Sequence, residues 1–208
     1  MPLIPIDLDA ETNASQGVSK LDNGVFVTDE GYYYFIDHTK KKFSIWLIGE
    51  IFGGPTRYLK LISMLEALTE EYSGGFNIHS PGGCIVTTGY IIGAIERCKA
   101  DLTMVNIGLA ASCGSLILAV GKKIYVAPNA ITMFHSAGLG LMDLVHRAAT
   151  QINHIQSYVE HLFTMMKKKG LLTDQEHEAI IKRGEEFYLT SDVMTERLKA
   201  NNLWNGEI

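Results

Sequence analysis

An α/β fold, with helices covering a mostly parallel sheet, is predicted by three features of this sequence. Short apolar and β-branched segments alternate with segments of helical period, glycine-rich turns close consecutive strand segments, and a long helical stretch follows them. In order along the chain, residues 1–20 turn polar after Met1-Pro2-Leu3-Ile4-Pro5-Ile6 and carry no strand or helix period, so they read as an N-terminal arm. Val25 to Thr28 and Tyr32 to Ile36, aromatic and β-branched around Asp29-Glu30-Gly31, predict a hairpin over about 24–36. Phe43 to Ile48 reads as the first buried strand, and 56–72 as a helix with Leu59, Leu61, Ile62, Leu65 and Leu68 on one side.

The alternation then repeats. Strands are expected at 76–79, 102–107, 124–127 and around Ile131-Thr132-Met133-Phe134, and helices at about 87–98 and 112–120. A long helix over about 141–169 ends at Gly170. Thr173-Asp174-Gln175-Glu176 has the pattern of a capping box, in which the threonine caps the helix and the glutamate reaches back, and it opens a helix over 173–183. Residues 21–208 therefore read as one domain behind the arm.

Composition narrows the function. Of 208 residues, 47% are hydrophobic and 20% charged, which is the balance of a globular chain, and the net charge of −5 argues against a nucleic-acid partner. Lys40-Lys41-Lys42 and Lys167-Lys168-Lys169 lack interleaved aromatics and read as solvated ends of elements. Cys84, Cys98 and Cys113 are odd in number without metal-ligand spacing, and the N-terminus lacks a signal-peptide pattern. A cytoplasmic, reducing setting is expected. Apolar runs broken by Gly121-Lys122-Lys123 are too short for a membrane span.

Acyl transfer needs a nucleophile, a base, a group that orients the base, and donors for the oxyanion. Gly108-Leu109-Ala110-Ala111-Ser112-Cys113-Gly114 sets a serine among small residues at the start of a helix, where it can be displayed on a sharp turn. Alone, the segment reads equally well as a close packing turn. A second turn, Ser80-Pro81-Gly82-Gly83, favours display, because two adjacent glycines let backbone N–H groups approach a ligand. Both turns follow consecutive strands, so both face one crevice at the carboxyl edge of the sheet. His135, between Phe134 and Ser136, supplies a base.

With these residues in view, the chain resembles the ClpP family of self-compartmentalised serine peptidases, whose fold is related to that of the crotonases. The resemblance rests on Gly49-Glu50-Ile51, Ser80-Pro81-Gly82-Gly83, Gly108 to Gly114 and Pro128-Asn129, and extends from about Phe43 to the C-terminus. It implies Ser112 as nucleophile, His135 as general base, and the amides of Gly83 and Cys113 as the oxyanion hole. The family's acid is an aspartate ahead of an aromatic-aliphatic-Ser/Thr-Ala segment. Here that segment is Tyr188-Leu189-Thr190-Ser191, which places Glu186 at the acid position, with Glu185 as the alternative.

The resemblance further implies rings, normally two stacked heptamers joined through the long helix, which degrade unfolded polypeptides delivered by an ATP-driven AAA+ unfoldase. Cleavage itself would need no metal or other cofactor. Three departures stand out. Glutamate replaces aspartate, Ser136-Ala137 replaces the Gln-Pro that usually follows the histidine, and the 24–36 hairpin replaces a short helix. They leave open a scaffold subunit with a misaligned triad, and the related fold leaves open acyl-CoA chemistry. His146, His154 and His161 fall near one helix face, but their spacing is too wide for zinc ligation and suits a polar stripe.

Overall fold

The computed structural model describes residues 18–20, 25–28, 31–136 and 145–206, with side chains described for 31–136 and 152–206. Among these residues the centre is a nine-stranded sheet. The strands are β1 (Val18–Lys20), β2 (Val25–Thr28), β3 (Tyr32–Asp37), β4 (Lys42–Ile48), β5 (Ser73–Ser80), β6 (Asp101–Ala111), β7 (Lys123–Val126), β8 (Ile131–Phe134) and β9 (Phe187–Thr190). They lie in the order β1-β2-β3-β4-β5-β6-β8-β9, with β7 also on β6.

The middle of the sheet is parallel, through β4–β5, β5–β6, β6–β7 and β6–β8, while β1 to β4 and β8–β9 are antiparallel. The expected hairpin is present as β2–β3 and grows into a longer meander. Residues 18–20, which the sequence assigns to an arm without period, form β1 against β2, because pairing with a neighbour orders three residues too few to show a period. Residues 1–17 of the arm lie outside the described residues.

Helices cover the sheet. They are α1 (Leu59–Ala67), α2 (Ile85–Arg97), α3 (Cys113–Ala119), α4 (Val145–Lys168), α5 (Asp174–Glu178) and α6 (Ser191–Ala200). The segment expected as one helix over 56–72 is a 3₁₀ turn at Pro55–Tyr58 followed by α1, which ends five residues early where Leu68 turns to extended backbone. The expected capping box closes on Thr173 and Glu176, but α5 then passes into a π turn at Ala179–Arg183 that Gly184 ends in left-handed conformation. Residues 141–144 of the long helix lie outside the described residues.

The long helix α4 is tied to β8 and to α3, the helix that follows Ser112. Val159, Leu162, Phe163 and Met166 bury one face of α4, and Phe163 meets Phe134 of β8 edge to face at 6.5 Å. At the far end of α4, the Lys169 ammonium donates to the carbonyls of Ala119, Val120 and Gly121 at 2.8, 2.9 and 3.0 Å. It therefore caps the C-terminus of α3, where cations are favoured, although burial lowers its pKa.

Candidate active site

The strand β6 carries the nucleophile candidate, and it runs further than its sequence suggests. The sequence predicts a strand over 102–107 and a turn that opens at Gly108; instead β6 continues to Ala111. Its first half pairs with β7 at 103–106 and its second half with β8 at 109–111, the register against β5 shifting between Ile78 and Ser80. Gly108 is needed there because a Cβ would lie 2.7 Å from the imidazole Nδ1 of His79. The buried Asn106 fixes the fork: its amide donates to Ile131 O at 2.9 Å and Thr132 Oγ1 at 3.1 Å, and its carbonyl oxygen accepts from Gly108 N at 3.1 Å.

The turn itself is confined to Ser112, with φ 53° and ψ −124°, a region that non-glycine residues rarely occupy. Such a bend throws the side chain out of the strand-to-helix corner. Three hydrogen bonds hold it. The Ser112 amide donates to Met133 O at 3.0 Å, and the Ser112 carbonyl accepts from the amides of Ser115 and Leu116 at 3.0 and 3.2 Å. The Ser115 hydroxyl adds a fourth bond to that carbonyl at 2.6 Å. Because a trans peptide points its C=O and N–H in opposite directions, turning the Ser112 carbonyl into α3 directs the Cys113 amide outward.

The same reasoning applies to the second glycine turn. Ile51 N donates to Gly82 O at 2.8 Å, so the N–H of Gly83, across the same peptide, points away from Ile51. Neither the Gly83 nor the Cys113 amide has a partner among the described residues. Gly82 and Gly83 have φ of 103° and 145°, and a Cβ on Gly82 would come within 2.6 Å of Ser112 Cβ and 2.9 Å of Cys113 N. The two turns are thus in direct contact. The Cys113 thiol reinforces the contact by donating to Gly83 O at 3.1 Å, and buried Ser80 braces the turn by accepting from Gly82 N at 3.1 Å and donating to Gly49 O at 2.6 Å.

The candidate base and the candidate acid arrive from neighbouring strands. His135 follows β8, and its Nε2 lies 2.7 Å from Ser112 Oγ. The antiparallel register of β8 on β9 pairs Met133 with Tyr188 and Phe134 with Phe187, which sets Glu186 beside His135. Glu186 Oε1 is 3.9 Å from His135 Nδ1, beyond hydrogen-bond length, and its Oε2 accepts from the Tyr188 hydroxyl at 3.1 Å. Glu185, the alternative acid, pairs instead with Arg183. Ser112, His135 and Glu186 are therefore brought together and Glu185 is not. Asp192 sits in the first turn of α6, as a charge favourable to a helix N-terminus.

The bracing by Ser80, Asn106 and the Cys113 thiol escapes sequence reasoning, since each depends on a partner distant in the chain; only the polarity of Asn106 within an apolar strand is a signal. His154 and His161 are exposed on α4, and the side chain of His146 lies outside the described residues.

The thiols differ in character. Burial pushes up the pKa of Cys98 and of Cys113. At Cys84, next to Gly83 and at the N-cap of α2, burial acts the same way, but the Thr87 amide and hydroxyl and the Val86 amide outweigh it and lower the pKa. A larger thiolate fraction at neutral pH means faster alkylation. With limiting iodoacetamide at about pH 7.5, below the unperturbed thiol value, peptide mapping should find Cys84 carboxamidomethylated first; equal labelling of Cys113 would contradict this assignment.

No described helix is long and apolar enough to cross a membrane. Over a stretch of 74 residues the chain is 42% identical to the ATP-dependent Clp protease proteolytic subunit 3, chloroplastic, of Arabidopsis thaliana. That stretch is 35% of this chain and spans 24% of the relative's length. The Clp protease family model matches residues 30–195, a span that holds both glycine turns, the strained serine, the histidine beside it and the glutamate, and on that match the chain belongs to the Clp protease family.

Proposed function

We propose that this chain is a serine endopeptidase of ClpP type in which Ser112 is the nucleophile and His135 the general base. The observation that carries the reading is the 2.7 Å contact between Ser112 Oγ and His135 Nε2 at a serine held in a strained turn. Ser112 Oγ forms a bond to the substrate carbonyl carbon as its proton passes to His135 Nε2. Glu186, beside the imidazole, balances the charge that the ring gains. The N–H groups of Gly83 and Cys113 receive the oxyanion, each contributing a donor fixed before reaction. Collapse of the tetrahedral intermediate expels the amine with the proton from His135, and water then releases the acyl group by the same route.

Family membership supports the larger setting. We assign to the chain self-assembly into rings, stacked as heptamers, and unfolded polypeptides as substrates, fed by an ATP-driven unfoldase, in keeping with the ATP dependence in the relative's name. The three cysteines are unpaired, which suits a reducing compartment: the cytoplasm, or the chloroplast in which that name places the relative. Residues 21–208 act as a single peptidase domain in this proposal.

A fluorophosphonate probe tests it. Ser112 should carry the phosphonyl adduct in the intact protein, identified by peptide mass, and labelling should be accompanied by loss of peptide hydrolysis. The 3.9 Å separation of Glu186 from His135 favours one rival, a scaffold subunit with impaired catalysis. That rival requires an unlabelled Ser112 and no hydrolysis in any oligomeric state.

A further inference from the structure

The acid of this site has a second partner. Glu186 is half exposed, and a glutamate so placed has rotamers that carry its carboxylate into solvent, away from His135. The Tyr188 hydroxyl limits them by donating to Glu186 Oε2 at 3.1 Å, which leaves Oε1 on the His135 side. Tyr188 can do this because it follows Glu186, the residue just before β9, by two positions, the period of a strand, and because its pairing with Met133 fixes its height against β8. Its side chain is otherwise spent on little: the residue is 62% exposed, although aromatic.

We infer that Tyr188 is a positioning residue for the acid, and that its hydroxyl supplies what the longer glutamate lacks: a fixed direction toward His135. The inference rests on the peptidase reading above. The reactive chain then runs Tyr188 to Glu186 to His135 to Ser112, with Tyr188 touching neither substrate nor imidazole. The neighbouring charges do not compete, since Arg183 is matched by Glu185. The carboxylate in turn raises the Tyr188 pKa, so the phenol keeps its proton, and its donor role, throughout the neutral range.

The test is a double-mutant cycle in the assembled, full-length protein, read with a fluorogenic peptide and with fluorophosphonate labelling of Ser112. Tyr188→Phe keeps the ring and removes the donor. It should lower kcat by about three- to tenfold, the worth of one ordinary hydrogen bond between two exposed side chains, with KM and melting temperature unchanged. In a Glu186→Ala background the same change should have no further effect, because the acceptor it serves is gone. A Tyr188→Phe protein with wild-type kcat, or one whose loss is the same with and without Glu186, overturns the positioning role while leaving the peptidase reading intact. A wild-type protein that neither labels nor hydrolyses peptide overturns both.

Discussion

Ser112→Gly is expected to abolish peptide hydrolysis and at the same time to raise the melting temperature. Loss of the proposed nucleophile should reduce kcat by about 10⁴-fold or more, since the remaining groups of a triad contribute little without it. The gain in stability has a separate origin. At φ 53° and ψ −124° a side chain is strained, at a cost of about 1–3 kcal/mol. Glycine removes that strain and gives back about 0.5–1 kcal/mol through the greater freedom of its unfolded state. The net gain of about 1 kcal/mol corresponds to about 2–4 °C for a chain of this size. Ser112→Ala makes the contrast, because alanine keeps the Cβ and the strain; it should be as inactive but melt with the wild type. Calorimetry and a peptide assay on the three proteins check both halves. More than a tenth of wild-type activity in Ser112→Gly would place the nucleophile elsewhere.

The second large effect is expected at Gly83. A Cβ there would stand 2.2 Å from Ile51 O, a backbone atom that itself accepts from Cys84 N at 2.7 Å, and the φ of 145° is poorly suited to any side chain. The two penalties, overpacking and strain, together cost Gly83→Ala about 3 kcal/mol or more, or about 6–12 °C. Relief can come only by moving the turn, and the turn carries the Gly83 amide. Hydrolysis of the folded fraction, measured well below the melting transition, should therefore fall by about 10²-fold or more, as for loss of one oxyanion donor. Gly53→Ala is the control: its Cβ would meet nothing closer than Cys84 Sγ at 3.9 Å. Equal melting temperatures for the two variants would show that the Gly83 turn yields without cost.

Much of how this candidate site is assembled is legible in the chain alone, because its residues fall in short local motifs. Ser112 among small residues, the Gly82-Gly83 pair and His135 after an apolar strand each carry their meaning within a few residues. Glu186 is reachable by position, and the register of β9 on β8 then brings it beside His135. Its 3.9 Å separation is not reachable, since it depends on a tyrosine hydroxyl and on one more methylene than an aspartate has. The extent of β6 is hidden for a different reason. Gly108 and the alanines after it have low strand propensity, and pairing with β8 overrides it. The same holds at the other end of the chain's sheet, where β1 exists by pairing alone.

The ammonium of Lys169 on three carbonyls at the end of α3 bears on how far the nucleophile turn can be regarded as a unit. A helix of seven residues, Cys113–Ala119, is too short to sustain itself, and here its last carbonyls are satisfied by a side chain from beyond the end of α4. The Gly108 to Gly114 segment is therefore not portable. Grafted onto another α/β scaffold, it would bring along the bent serine and leave behind the lysine that anchors the helix on which that serine is mounted.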